Sequence, residues 1–509
     1  MPTPPEAREV ELKFELSPEA LEAARRHPML AEPARGRFLS SVYFDTPDEA
    51  LKAAGLALRI RTVDGRHLQT LKGRHEASGV DRDEWEAPVP RDTPDPAALP
   101  DVPAARLVQA CADRLKPVFA TEVQRSCWRR QDGEAEVEIC LDVGETRAGR
   151  LRAPICELEL ELRAGAPDYL FALARTLGHE VDGRLSFVSK AERGYRLATG
   201  QAGAPVKAAP LDIAPDLPAA DAFRRIAWSC LTQAEANAAT LRAAPSPEVL
   251  HQARVGIRRL RAAASAFKAM LGDGQSRAVL AELKWLAGEL DTARDLDVLI
   301  DRLFPDGDEG ELGEVHTGLV AARAAAYERA LAAVSSRRFG DLLLDLAAWL
   351  PGGDWSRDEA TAALRTTPAS AFGAEALGRL VRKAVKAGRG LADLEPEARH
   401  AFRIRIKKLR YGAEFFLPAM GDAKRAGARK LMETIRTLQE SLGDLNDIAV
   451  ARAVAQQALA GAPPATVFAA GLAVGQSEAA EADLLDKAVV GYRKLKRAAQ
   501  AWDERRAPG

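Results

Sequence analysis

The chain has 509 residues, 47% hydrophobic and 28% charged, with 72 Lys and Arg against 73 Asp and Glu and a formal net charge of -1. That length accommodates two or more domains with separate cores. The near-neutral balance excludes a global field that steers the chain to nucleic acid or membrane, so any polyanion affinity must come from local clustering.

Five scattered cysteines (Cys111, Cys127, Cys140, Cys156, Cys230) form no CxxC pair, and seven dispersed histidines form no HxxxH or HExxH pattern. Neither a disulfide framework nor a zinc site is expected, and a bound metal is expected to be a hard, oxygen-liganded ion such as Mg²⁺ or Mn²⁺. The opening residues lack the basic and apolar regions of a signal peptide, and no apolar run reaches transmembrane length. The expected location is therefore the reducing cytoplasm.

In chain order, strands are expected over 8–16, 37–45, 56–63, 67–73, 82–88, 118–130, 134–143 and 155–163, with helices near 17–27, 102–115 and 167–178. In the first strand Glu9, Glu11 and Lys13 share one face, while Val10, Leu12 and Phe14 share the other. The inversion recurs downstream. Arg59 and Arg61 flank Ile60, and Glu157, Glu159 and Glu161 alternate with leucines. Several strands with charged faces suggest a sheet rolled around a charged lumen, which suits a metal ion and a polyanion. Opposed carboxylates on the first and last strands can hold a divalent cation. Lys13, Arg59, Arg61, Lys72, Arg82, Arg125, Lys190 and Arg193 are the candidate phosphate-binding cations. No GxxxxGK[ST] loop is present.

Residues 201–218, rich in Ala, Pro and Gly, read as a linker between a 1–200 domain and an all-α 219–505 domain. The helical half repeats itself. His251-Gln252-Ala253-Arg254 through Arg258-Arg259-Leu260-Arg261 matches His400-Ala401-Phe402-Arg403 through Lys407-Lys408-Leu409-Arg410. Each copy precedes a second helix carrying Arg294-Asp295 or Asn446-Asp447. Ala253, Ile257, Leu260, Ala264 and Phe267 keep the spacing of a buried stripe, as do Phe402, Ile406, Leu409, Ala413 and Phe416. Beside each stripe lies a basic row: His251, Arg254, Arg258 and Arg261, then His400, Arg403, Lys407 and Arg410. Stacked like charges repel, so their recurrence suggests an anion lying along them. Histidine in each row suggests affinity tuned by pH. Arg259, Arg405 and Lys408 point away from the rows and read as ordinary surface charge, while Asp295 and Asp447 either orient a basic side chain or cap or pair at a helix end, the second being favoured.

Glu9-Val10-Glu11-Leu12-Lys13 resembles the ExExK signature of the CYTH, or triphosphate tunnel metalloenzyme, superfamily. Tyr43-Phe44-Asp45-Thr46, Leu58-Arg59-Ile60-Arg61, Thr70-Leu71-Lys72-Gly73 and Ser189-Lys190-Ala191-Glu192-Arg193-Gly194-Tyr195 follow in the family's order. The resemblance implies an eight-stranded antiparallel β tunnel, or barrel, with flanking helices. It implies metal held by Glu9, Glu11 and one or more of Glu157, Glu159 and Glu161. Phosphate would be bound by Lys13, Arg59, Arg61, Lys72, Arg82 and Arg125, with Lys190 and Arg193 on a helix at one tunnel end. The expected catalytic set is Glu9, Glu11, Lys13, Lys72 and Lys190. Glu84, Glu86, Glu138 and Asp142 are further acids whose face is open, because a one-residue slip in register reverses it.

The helical half resembles the CHAD domain, a conserved histidine α-helical domain often fused to CYTH. It implies two pseudo-symmetric helical bundles that bind inorganic polyphosphate through the two basic rows. The fold class expected of the chain is thus α+β multidomain. The expected function is metal-dependent hydrolysis of inorganic triphosphate to pyrophosphate and phosphate, with no nucleic-acid or membrane partner and with polyphosphate granules as a further location. The alternatives are a non-catalytic polyphosphate-binding protein and the other CYTH activities, thiamine triphosphatase and adenylyl cyclase.

Overall fold

The computed structural model describes residues 9–31, 35–75, 81–304, 313–420, 431–446, 448, 468, 471, 475 and 481–504. The chain divides into two compact units, 1–206 with 337–351 and 207–336 with 352–509.

The first unit is built on strands β1 (Glu9–Glu15), β2 (Arg35–Asp45), β3 (Ala57–Val63), β4 (Arg66–His75), β5 (Asp81–Val89), β6 (Lys116–Asp132), β7 (Ala135–Ala148), β8 (Leu151–Ala164) and β9 (Arg184–Leu185). Its helices are α1 (Pro18–Arg26), α2 (Ala50–Ala53), α3 (Pro103–Ala110), α4 (Pro167–Glu180) and α5 (Lys190–Ala198). The eight longer strands sit where alternation placed them. Asp64 and Gly65, both at positive φ, make the tight β3–β4 turn that the right-handed twist of a hairpin favours.

The expectation of eight strands closed into a tunnel is corrected. The sheet has nine strands in the order β5-β4-β3-β2-β6-β7-β8-β1-β9 and is not closed into a barrel. The reason lies at the free edge of β1. Glu9 and Val10 meet β5 at Arg82 and Asp81, but Phe14 and Glu15 pair with Leu185 and Arg184 of β9. That edge is divided between two strands, so no continuous β1–β5 ladder forms.

The uncharged face of the sheet carries the core. Phe44, Leu58, Ile60 and Leu71 pack with Ala105 and Val108 of α3. Leu12, Phe14, Leu158 and Leu160 are buried, as are Leu170, Ala174 and Leu177 of α4. Residues 337–351 contribute α10 (Arg337–Gly352), tied to α4 by Arg175–Asp341 at 2.9 Å, Arg175–Asp345 at 2.5 Å and His179–Asp341 at 2.8 Å.

The second unit is helical: α6 (Ala219–Ala243), α7 (Pro247–Ala266), α8 (Gly274–Leu303), α9 (Gly313–Ser335), α11 (Ala362–Thr366), α12 (Ala369–Ala387), α13 (Pro396–Phe416), a helical stretch 431–446 and α14 (Glu481–Glu504). The two apolar stripes are buried, from Ala253 to Phe267 and from Phe402 to Phe416. Phe267 and Phe416, equivalent in the repeat, lie 5.3 Å apart between ring centroids, and Phe267 stacks on Phe372 at 4.8 Å. Phe372 is in turn the repeat equivalent of Phe223.

Candidate functional site

Residues directly opposite in adjacent strands share a face, so the register assembles the charged face row by row. One row runs Glu15, Glu157, Asp142, Arg125, Arg37 across β1, β8, β7, β6 and β2. The next runs Lys13, Glu159, Cys140, Cys127, and the third Glu11, Glu161, Glu138, Arg129. On the other side Tyr43 stands opposite Arg59, Ser41 opposite Arg61, and Lys72 opposite Glu84.

Helix α5 lays its first turn onto this face. Ser189 caps it, its hydroxyl accepting from the Glu192 amide at 3.1 Å. The helix sits low because of Gly194, where an added Cβ would lie 2.0 Å from the Phe119 ring. Tyr195 anchors the same turn by donating its hydroxyl to buried Asp45 at 2.8 Å, and Asp45 also accepts from the Leu51 and Lys52 amides. Tyr43 stacks on Phe119 at 4.4 Å. Tyr43 and Phe44 are buried, so the aromatic residues of the motif pack.

That seating delivers Lys190 and Arg193 into the carboxylates. Lys190 Nζ lies 2.7 Å from Asp142 and 2.7 Å from Glu159, and it also pairs with Glu157. Arg125 grips Asp142 with two bonds, at 2.7 and 2.6 Å, and reaches Glu159 at 2.5 Å. Arg193 joins Glu15, at 2.9 Å, to Glu157. Asp142 and Glu157 are fully buried. Burial alone would raise the Glu159 and Glu157 carboxyls, but Lys190, then Arg125 for Glu159 and Arg193 for Glu157, hold both below the ordinary range, Glu159 well below it. The same carboxylates hold Lys190 above its ordinary value against burial. Lys13 goes the other way. Burial lowers it despite Glu157, and its ammonium donates to the Val188 carbonyl at 2.5 Å.

A cationic cluster lies on the same face. Arg59 and Arg61 each have a buried Nε without a hydrogen-bond partner. Burial, with Arg59 and Arg125 nearby, pushes the Arg61 guanidinium down to about 10. Lys72 pairs with Glu84 at 2.8 Å, and Arg59 lies 3.5 Å from the same carboxylate. Thr70 donates to Glu86 at 2.9 Å.

Oxygens of Asp142, Glu157 and Glu159 come within 4.8 Å of one another, an all-oxygen donor set that fits a hard divalent cation. Of the expected metal ligands, the structure thus groups Glu157 and Glu159 with Asp142. Glu11 and Glu161 face each other one row away, with Glu161 paired to Arg163 at 2.5 Å. Glu138 also pairs with Arg163 and lies 3.5 Å from Arg129. The side chains of Glu9 and Arg82 lie outside the described residues. Glu15 was missed by the sequence reading, although it continues the alternation of Glu11 and Lys13.

Cys127 and Cys140, expected to be unpaired, form a disulfide, their Cα atoms 4.2 Å apart. They are opposite each other in the β6–β7 ladder, a proximity that no CxxC spacing announces. Glu138 lies beside them, but sulfurs joined in a disulfide are not thiolate metal ligands.

In the helical unit, Arg254 pairs with Asp291 at 2.5 Å and Arg258 donates to the Tyr411 hydroxyl at 2.9 Å. Arg261 is exposed. His400 meets Asn446 at 2.6 Å, and Arg410 lies over the Tyr411 ring at 4.7 Å. Arg403 and Lys407 are half-buried. His251 is pushed down to about 4 by burial, then by Arg294 and Arg258. It is therefore neutral in the free protein at pH 7. Arg294, seen in the sequence as part of the repeat but not counted among the binding cations, is the one that acts on His251, and Asn446 is its motif equivalent. Arg259, expected on the surface, is 1% exposed and pairs with Glu414 at 2.7 Å. Asp447 lies outside the described residues. No helix among the described residues is long and apolar enough to cross a membrane.

Residues 7–195 match the CYTH domain family and residues 225–456 the CHAD domain family. The crystal structure of the CHAD domain from the plant Ricinus communis is 30% identical, covers 57% of this chain and 96% of its own, and superposes with a TM-score of 0.50. The chain therefore belongs to the CHAD family through its helical half and carries a CYTH domain ahead of it. Its CYTH region is related to an inorganic triphosphatase of Haemophilus influenzae, 33% identical over 201 residues, which are 38% of this chain and 56% of that protein. An uncharacterized protein of Mycobacterium tuberculosis is 29% identical over 512 residues, with 90% of both chains covered.

Proposed function

We propose that the CYTH unit hydrolyses inorganic triphosphate to pyrophosphate and orthophosphate with a divalent metal, Mg²⁺ or Mn²⁺, and that the CHAD unit binds inorganic polyphosphate. The observation that supports this reading is that one sheet face carries both a carboxylate cluster and cations whose hydrogen bonding is incomplete. Asp142, Glu157 and Glu159 converge at one place, and Arg59 and Arg61 offer buried, incompletely bonded guanidinium groups near Arg125. A buried cation with unmet hydrogen-bonding capacity is costly unless an anion completes it.

Asp142, Glu157 and Glu159 would hold the metal, with Glu9, Glu11 and Glu161 as the further acids that the family pattern names. The ion would neutralise phosphate charge and ready a water for attack. Arg59, Arg61, Arg125, Lys72 and Lys13 would bind the phosphoryl oxygens and align them, with Arg82 on the adjoining strand. Lys190 and Arg193 keep the carboxylates ionised and, once released from them, can turn to substrate. The related Haemophilus influenzae protein, named an inorganic triphosphatase, supports the choice of substrate.

A second reading rests on the ion pairs themselves. Lys190, Arg125 and Arg193 already satisfy the carboxylates, which suits a non-catalytic polyphosphate-binding protein whose N-terminal unit senses triphosphate. Phosphate release from triphosphate, ATP and thiamine triphosphate, each with Mg²⁺ and with EDTA, separates the two. Metal-dependent release from triphosphate supports hydrolysis, and no release from any of them supports binding alone.

A further inference from the structure

Over α6–α7 and α12–α13 the two copies of the helical repeat are offset by 149 residues, so His251 corresponds to His400 and each position there in one copy has an equivalent in the other, whereas the following helices are offset by 152. In the first copy Arg259 is buried against α6 and α13. It pairs with Glu414, takes a hydrogen bond partner in Gln233 at 2.9 Å and lies 5.8 Å from the Phe415 ring centroid. Here Gly256 packs tightly on α6, since a Cβ would stand 2.7 Å from the Ala234 nitrogen. The arrangement is filled and neutral.

Its mate is neither. The equivalent of Arg259 is Lys408, but Glu414 and Phe415 are replaced by Ser265 and Ala266, which opens a pocket. Cys230, Ala234 and Gly256 are replaced by Arg379, Lys383 and Arg405, and all three line that pocket with Lys408. Ala376 and Leu380 give it an apolar wall. Four cations thus stand where the other copy has one cation and its carboxylate. Arg379 pairs with Glu375 on its own helix. Among the described residues, Lys383, Arg405 and Lys408 have no ion pair. Burial, followed by Arg405, Arg261, Lys383 and Lys268, holds the Lys408 ammonium below its ordinary value. Lys383 and Arg405 are exposed and Lys408 is half-buried, so the repulsion is partly screened by solvent, and a counter-anion entering the pocket would relieve what remains.

We propose that this pocket binds a compact phosphate group, which takes the place that Glu414 occupies in the other copy. The group is either free orthophosphate or the terminal phosphate of a chain. None of the residues that line the pocket belongs to the two basic rows, although Arg261 of the first row lies near Lys408, and the site does not depend on hydrolysis by the CYTH unit.

The test is the melting temperature of the full chain titrated with orthophosphate and with polyphosphates of defined length. Wild type is expected to show a saturable rise. A rise with orthophosphate identifies the free ion. A rise with chains alone, larger for short chains at equal total phosphate, identifies chain ends. Ser265→Glu, which restores the missing carboxylate, is expected to raise the melting temperature without phosphate and to abolish the orthophosphate or chain-end increment, leaving any increment from long chains on the basic rows. Lys383→Ala with Arg405→Gly, which recreates the first copy's residues, is expected to abolish the increment too, and keeps the test valid if Ser265→Glu does not fold. Arg254→Ala with Arg403→Ala is expected to weaken retention of long chains yet leave the orthophosphate or chain-end increment in place. No increment in wild type, or an unchanged increment in both pocket variants, would overturn the proposal.

Discussion

Lys190 is bound by three carboxylates at once, and the first unit depends on that charge. Glu157, fully buried between Lys190 and Arg193, cannot lose its charge without weakening the hold on both cations, even though Lys190 keeps Asp142 and Glu159 and Arg193 keeps Glu15. Glu157→Gln is therefore expected to destabilise the first unit by about 3–5 kcal/mol, read as a lower denaturant midpoint with an unchanged m-value. Acid should act in the same direction. Because the folded values of Glu157 and Glu159 lie below the ordinary 4.5, their contribution is present above that value and is lost as pH falls through the lowered ones. Circular dichroism of the sheet should thus hold through pH 5 and fail below about 4.5. In the helical unit, an NMR titration should place His251 near 4, and a midpoint near 6.5 would show that Arg294 and burial do not govern it. At this scale the sequence exposed the acids and bases through alternation, including Glu157, Glu159 and Lys13. It could not expose Arg259, whose partner Glu414 lies 155 positions away, nor the Cys127–Cys140 disulfide, which depends on β-register.

Helix α5 shows what a single missing side chain does for an element. Gly194→Ala would drive a methyl into Phe119, lift the helix and withdraw Lys190 and Arg193 from the carboxylates. Triphosphate hydrolysis is expected to fall, and Phe119→Leu in the same chain to restore part of it. Loss without such rescue would mean that helix seating is not the cause. The motif Ser189 to Tyr195 was visible as a string, and its cap, glycine and tyrosine now each have a physical task. The eight long strands were legible because alternating burial writes a period of two into the chain. The two-residue β9 writes no period, and it is the element that shares the free edge of β1 and separates the observed sheet from the expected tunnel. The placement of α10 with the first unit rests on ion pairs such as Arg175–Asp341, which leave no periodic trace either.

On the scale of the whole molecule, an almost neutral chain keeps its charge local. Cations and anions alternate on the sheet face, while cations dominate the helical rows and the Lys408 pocket. The two halves should therefore fail separately. Chelation should end hydrolysis and leave polyphosphate retention intact, whereas raised salt should weaken retention. Arg61→Ala, which removes one incompletely bonded guanidinium, is expected to lower kcat/KM for triphosphate by about 100-fold without changing retention of long chains. The most direct measurement is phosphate released from inorganic triphosphate by the full chain with Mg²⁺, compared with EDTA and with Glu159→Gln. Release that depends on Mg²⁺ and disappears in both comparisons is the predicted result; release that continues in chelator, or in Glu159→Gln, would contradict the assignment of the carboxylate cluster.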